Sequence, residues 1–395
     1  MGSRIVVTAV TLVWGLALTA CAGPSRPTPS TLRPATAATA TTTTSGSRST
    51  TTHDATAGPS TSSPRSSAAH TSTSPRTHTT TASAPSRTSS QVTPRAGHSA
   101  WVAVSVATLW RSWSSPRAVD QPALRAPADI RGWLAAMTLS DRRGLQGRAD
   151  TQALLGDRVL VVAISGTWAK VVVPDQPTPL DARGYPGWLP LRQLSAAPAA
   201  SATEYATVVS RTAWLRTDSA AATPVVEISY GTRLPVLAGV GSRLRVGLPG
   251  GMVRRVDAGL VARRSGTAAA QPTTGASLVQ SAQAFTGLPY LWAGRSGFGF
   301  DCSGLTSLVH RVHGVVVPRD ADAQATRGRS VSSSALQAGD LLFYATASGY
   351  VHHVSMYAGG GLMVQSPATG QAVQTIPVAT PSYAAQFAGA RRYLP

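Results

Sequence analysis

The sequence predicts a multidomain chain in which two small all-β barrels precede one α+β domain, with a disordered tether in front. Three observations predict it. The 395 residues exceed the roughly 250–300 at which a single core stops growing. Large apolar side chains nearly vanish between Ala22 and Gly97 and return at Trp101. From there, short β-rich runs broken by Gly and Pro continue to about residue 264, and helical periodicity begins at Ala276.

The chain starts with a short basic segment at residues 1–4 and an almost uninterrupted apolar run at residues 5–17. That run falls short of the ~20 residues a helix needs to span a bilayer, but it suits the core of a signal peptide. Leu18-Thr-Ala-Cys21 follows and resembles a bacterial lipoprotein signal, which implies lipidation of Cys21. Residues 1–21 are therefore expected to direct export. The protein would then sit on the outer face of the cell membrane through a lipid anchor, or be secreted. Residues 22–97 are Thr, Ser, Pro and Ala with isolated arginines, too polar to offset the entropy of ordering. As a coil such a tether spans on the order of 50 Å.

Residues 98–196 are expected to form the first barrel, from runs such as Asp157-Arg-Val-Leu-Val-Val-Ala-Ile-Ser and Gly166-Thr-Trp-Ala-Lys-Val-Val-Val173. An insertion around residues 122–148 carries Ile130, Trp133, Leu134 and Met137 at helical spacing. Residues 202–264 repeat the barrel style, and residues 265–275 link to the last domain.

Composition excludes two classes. The only cysteines are Cys21 and Cys302, too few for a disulfide scaffold. The formal charge of +19 comes from 34 arginines and Lys170 against 16 acidic residues. These arginines are scattered, without the runs that follow a phosphate backbone, so no nucleic-acid partner is expected.

The chemistry is expected in residues 276–395. Cys302 ends Pro289-Tyr-Leu-Trp-Ala-Gly-Arg-Ser-Gly-Phe-Gly-Phe-Asp-Cys, and Leu305, Leu308, Val309 and Val312 then recur at helical spacing. The thiol thus sits at a helix N-terminus, where free N–H groups favour the thiolate and are expected to lower its pKa. Downstream, Val351 to Ser366 reads as strand, glycine turn and strand. A three-residue loop at residues 358–360 would set His353 directly opposite Gln365, an imidazole oriented by an amide. Alternation turns His352 to the other face. His310 and His313 lie on the cysteine helix without the H-E-x-x-H spacing of a zinc site, so no metal or cofactor is expected.

These residues resemble the NlpC family of cell-wall cysteine peptidases, whose fold is papain-like α+β. Its motifs Y-x-W-G-G, D-C-S-G, P-R-D-A and H-V-x-x-Y-x-G are matched by Tyr290-Leu-Trp-Ala-Gly, Asp301-Cys-Ser-Gly, Pro318-Arg-Asp-Ala and His353-Val-Ser-Met-Tyr-Ala-Gly. Ala293 stands where the family has a second glycine. The two barrels are similar to bacterial SH3-like domains, an arrangement seen in the γ-D-glutamyl-L-diamino-acid endopeptidases.

The resemblance implies a catalytic Cys302, with His353 as base and Gln365 in place of the frequent second histidine. It implies Tyr290 at the scissile carbonyl or oxyanion. Asp301 and Ser303, with Tyr185 and Asp157 from the first barrel, would bind a free N-terminal ammonium. The substrate would be a peptidoglycan stem peptide and the active species a monomer. Two alternatives stay open: an inactive wall-binding lipoprotein working through its barrels, and a thiol amidase or acyltransferase on the same fold.

Overall fold

The computed structural model describes residues 93–395; the export signal at 1–21, Cys21 and the tether up to residue 92 lie outside the described residues. Alternating apolar residues build the first sheet from β1 (Ser99–Val102) and β2 (Val106–Trp110). After the insertion it continues through β3 (Ala149–Leu154), β4 (Arg158–Ser165), β5 (Trp168–Val173), β6 (Tyr185–Pro190) and β7 (Leu194–Ser195). The strands lie in the order β3-β2-β6-β5-β4-β1-β7, every neighbour antiparallel. Val102, Leu109, Val159, Val161, Val171 and Leu189 fill its interior.

The insertion between β2 and β3 carries α1 (Ile130–Ala136) and α2 (Leu139–Arg143). Asp129 caps α1 by accepting the Gly132 N–H, and Thr138 and Asp141 cap α2 reciprocally. Trp133 is fully buried, donates its indole N–H to Asp120 at 2.9 Å, and meets Trp110 edge-to-face at 6.1 Å. This insertion packs on the outer side of β2 and β3, through Val106, Trp110, Ala149 and Leu154, and its buried apolar residues stay apart from the interior of the first sheet. Ile130, Trp133, Met137 and Leu145 belong to the same apolar cluster as Phe285, Phe300, Leu308 and Met356 far along the chain.

The second sheet holds β8 (Glu204–Val208), β9 (Thr212–Arg216), β10 (Pro224–Ser229), β11 (Arg233–Val240), β12 (Arg243–Gly247), β13 (Val253–Asp257) and β14 (Val261–Ser265). Its order, β10-β9-β13-β12-β11-β8-β14, repeats the first sheet strand for strand.

The C-terminal part opens with α3 (Gly275–Gln283), capped by Thr274, and the short pair β15 (Arg295–Ser296) and β16 (Gly299–Phe300). Next come α4 (Cys302–Val312) and α5 (Ala321–Ala325). The remaining chain forms β17 (Arg329–Val331), β18 (Leu341–Ala345), β19 (Val351–Gly359), β20 (Leu362–Gln365) and β21 (Gln374–Pro377), then α6 (Pro381–Ala384) and β22 (Phe387–Arg392). Its six strands lie in the order β17-β22-β18-β19-β20-β21, and α4 packs against β19. Among the described residues, no helix is long and apolar enough to cross a membrane.

The β19–β20 hairpin differs from the expected register. Met356 pairs with Val364, Tyr357 with Met363 and Gly359 with Leu362, so Ala358 belongs to the strand and Gly360-Gly361 make the turn. Gly359, Gly360 and Gly361 all take positive φ (92°, 59° and 75°), open to glycine at little cost. The pairing therefore slips by two residues from a directly opposed His353 and Gln365. An even slip keeps every side chain on its face, so the two residues become diagonal neighbours on one side of the sheet.

Candidate active site

Cys302 is the first residue of α4 and is nearly buried. Asp301 caps the helix, its carboxylate accepting the Gly304 N–H at 2.6 Å. The Asp301 N–H donates to the Gly294 carbonyl at 3.0 Å, and a Cβ on Gly304 would stand 2.0 Å from that same oxygen. Only glycine fits there, which ties the start of the helix to the glycine-rich loop before it.

The helix N-terminus does not make this thiol acidic. Burial, then the neighbouring Asp301 carboxylate, push it up to about 12, against the backbone N–H groups of Val354 and Ser303 and the Arg319 charge. The expected lowering is thus corrected: desolvation of the charged form outweighs the N-terminal donors. The Val354 contact also puts the sulfur beside the residue that follows His353.

His353 stands on β19 with Nε2 2.6 Å from the amide oxygen of Gln365 on β20. An amide oxygen only accepts, so Nε2 carries the hydrogen and Nδ1 is left as the basic nitrogen. The ring packs against both Tyr344 and Tyr383, each centroid 5.5 Å away, and the two tyrosines meet each other at 5.2 Å. Burial pushes the imidazole down to about 4, with the Gln365 bond acting against it. The resting pair is consequently a neutral thiol and a neutral imidazole. The Gln365 Nε2 is buried without a formed hydrogen bond, although the Tyr383 hydroxyl is close enough to feel this side chain. His352 faces away and meets Gln386 at 2.7 Å.

Tyr290 is buried, and its hydroxyl is held well above the usual range by burial and then by Cys302 and Asp301. It remains a protonated donor near the sulfur.

Asp301 and Ser303 share one buried partner that the sequence reading did not single out. Arg319 donates to both oxygens of Asp301 at 3.1 and 2.6 Å, to Ser303 at 2.9 Å, and to Thr151 of the first barrel at 2.7 Å. The Asp301 carboxylate is thereby held in an ion pair. The accessible carboxylate is its neighbour Asp320, whose side chain is 33% exposed against 11% for Asp301. Tyr185 donates to Asp320 at 3.3 Å. Burial, and then Asp301 acting against Arg319, push Asp320 up to about 6. Asp320 was in view within Pro318-Arg-Asp-Ala; only folding shows that it meets Tyr185.

Asp157 is not brought to this cleft. It accepts the Leu154 N–H and binds Arg311, nine residues along α4 from Cys302 and therefore ~14 Å away by helical rise. The first-barrel carboxylate whose charge reaches Tyr185 is Asp150, which is paired with Arg111 at 2.8 Å. His310 is buried against the Thr306 carbonyl, and His313 lies between Ser281 and the Pro272 carbonyl. No group of metal-binding side chains forms among the described residues.

A cysteine at a helix start, beside an imidazole whose far nitrogen is fixed by an amide, is the nucleophile–base–orienter arrangement of a thiol hydrolase. Residues 287–392 match the NlpC/P60 family, and residues 208–261 match the YKFC SH3b2 domain. The chain is 41% identical over 319 residues to a Bacillus cereus protein named gamma-D-glutamyl-L-lysine dipeptidyl-peptidase, covering 78% of this chain and 95% of that one. A Bacillus subtilis protein of the same name is 38% identical over 293 residues, covering 73% and 96%. The crystal structure of an NlpC/P60 family protein from Bacillus cereus superposes with a TM-score of 0.71 at 39% identity, covering 75% of this chain and all of that one. The chain belongs to the NlpC/P60 family of cysteine peptidases.

Proposed function

We propose that this enzyme hydrolyses the bond between γ-D-glutamate and the diamino acid in peptidoglycan stem peptides that begin with a free L-Ala. The observation that carries the reading is the His353–Gln365 bond beside Cys302, with an open carboxylate, Asp320, on the same floor. His353 Nδ1 takes the thiol proton as sulfur attacks the carbonyl, and Tyr290 donates to the developing oxyanion. The thioester forms as the amine leaves with that proton, and water then releases L-Ala-γ-D-Glu. Because both groups rest neutral, charge separation arises only during attack.

The first barrel is read as a second SH3-like copy, on the strength of its identical strand order. It walls the cleft through several bonds. Trp292 donates to the Ala149 carbonyl at 2.8 Å, and Gln152 accepts from Arg295 and Ser296 at 3.0 and 2.8 Å. With Tyr185, Asp320 and the nearby Asp150 on this side, an ammonium finds charge-assisted partners, and an acylated terminus meets a closed end. Export through residues 1–21, lipidation of Cys21 and a tether at 22–97 complete the reading.

The test is hydrolysis of L-Ala-γ-D-Glu-diaminopimelate by the wild type and Cys302→Ala, with the N-acetylated peptide alongside. Activity should vanish in the variant, and the acetylated peptide should be a poor substrate. Undiminished turnover by the variant would sink the proposal.

A further inference from the structure

At the other end of α4, the two barrels and the catalytic domain border a half-open cavity of about 510 Å³, within the range of small-molecule sites. Each barrel contributes the same kind of pair from corresponding strands. On the β1–β4 pair of the first barrel, Trp101 stands directly across from Arg158. On the β8–β11 pair of the second, Arg233 stacks on Tyr205, its guanidinium carbon 3.9 Å from the ring centroid. All four line the cavity.

The charges there do not cancel. Arg311 is taken up by Asp157 and Asp175, which also line the space. Arg233 spends one nitrogen on the Gly266 carbonyl, and the sole side-chain bond of Arg158 among the described residues is a 3.4 Å contact with Ser99. Free guanidinium edges therefore remain on the lining that each barrel contributes. Outside the lining, Arg295 is fully buried with its Nη1 without a partner, and it feels the charges of Arg311 and Asp157. The excess is positive, and it sits beside aromatic rings that supply apolar faces.

We infer that this junction cavity binds an anionic saccharide, a sugar ring against Trp101 and Tyr205 with its carboxylate or phosphate between Arg158 and Arg233. Guanidinium forks match both oxyanions bidentately. The site is separate from the peptidase cleft.

The test is calorimetric titration of the full-length protein with N-acetylmuramic acid, N-acetylglucosamine 1-phosphate and neutral N-acetylglucosamine. At least one anionic sugar should bind at least ~10-fold tighter than the neutral one, the worth of about one charge-assisted hydrogen bond. The arm that binds identifies the anion as carboxylate or phosphate. Arg158→Glu and Arg233→Gln should each abolish that preference, while Arg158→Glu keeps wild-type hydrolysis of the free tripeptide. Arg158 is exposed, so its variant decides the matter if Arg233→Gln folds poorly. Equal binding of the neutral sugar, no saturable binding, or binding unchanged in Arg158→Glu would each overturn the inference.

Discussion

Asp320→Asn should convert an enzyme selective for a free amino terminus into one that barely distinguishes it. The substitution keeps shape and a hydrogen-bonding oxygen for Tyr185 but removes the charge. A hydrogen bond to a charged group contributes about 1.5–3 kcal/mol, so kcat/KM for the free tripeptide should fall about 10–150-fold at pH 7.5. The lower part of that range is favoured because the carboxylate is 33% exposed. Turnover of the N-acetylated peptide should scarcely change, so the ratio of the two collapses.

The pH profile gives a second reading of the same variant. With its carboxyl pushed up to about 6, Asp320 is charged above that pH and protonated below it. The wild-type kcat/KM should therefore drop as pH falls through about 6, and the Asn variant should lack this limb. His353, pushed down to about 4, stays neutral across the window and does not produce the limb. The stability sign runs the other way: a carboxyl raised in the folded state penalises folding above its unfolded pKa. The variant should then melt no lower than wild type at pH 7.5. An unchanged free-to-acetylated ratio, or an intact limb near pH 6, would refute the reasoning.

Three further outcomes are expected. Gln365→Ala frees the imidazole of His353 and should lower kcat about 5–100-fold, the range for losing one buried hydrogen-bond partner, while Gln365→His retains most of it; steady-state kinetics decide. Because the Cys302 thiol is pushed up to about 12, alkylation by iodoacetamide should accelerate about tenfold per pH unit between 7 and 10, and a plateau already reached at pH 6 would contradict the neutral resting pair. Trp133→Ala empties a fully buried site and should cost about 3–5 kcal/mol in denaturant unfolding, with loss of activity in step.

The sequence made the nucleophile and base legible because both rest on local periodicity. Helical spacing after Cys302 put it at a helix start, and strand alternation put His353 and Gln365 on one face. Their register was not legible: a run of three glycines closes a hairpin in more than one way, and nothing local chooses among them. The acidity of Cys302 was misread for a related reason, since the dipole is written in the helix while burial is supplied by β19 and the elements around it. Asp157 came from the resemblance alone, and no local pattern in the sequence pointed to Asp150 or Asp320 as the carboxylates near Tyr185. Tyr185 and Asp320 are 135 positions apart, and only the docking of the first barrel joins them. The role of Arg319 was hidden similarly, its four side-chain hydrogen bonds reaching two separate segments, at Thr151 and at Asp301–Ser303.

The apolar cluster that unites the first barrel's insertion with the catalytic domain bears on how such enzymes diversify. Ile130, Trp133 and Met137 cover the same interior as Phe285 and Leu308, so residues 276–395 cut free would expose that surface to water. The part proposed to select the peptide's end and the part that cuts it thus share one apolar interior. Recombination can exchange the ensemble as one unit, whereas a peptidase domain transplanted alone leaves its selectivity behind.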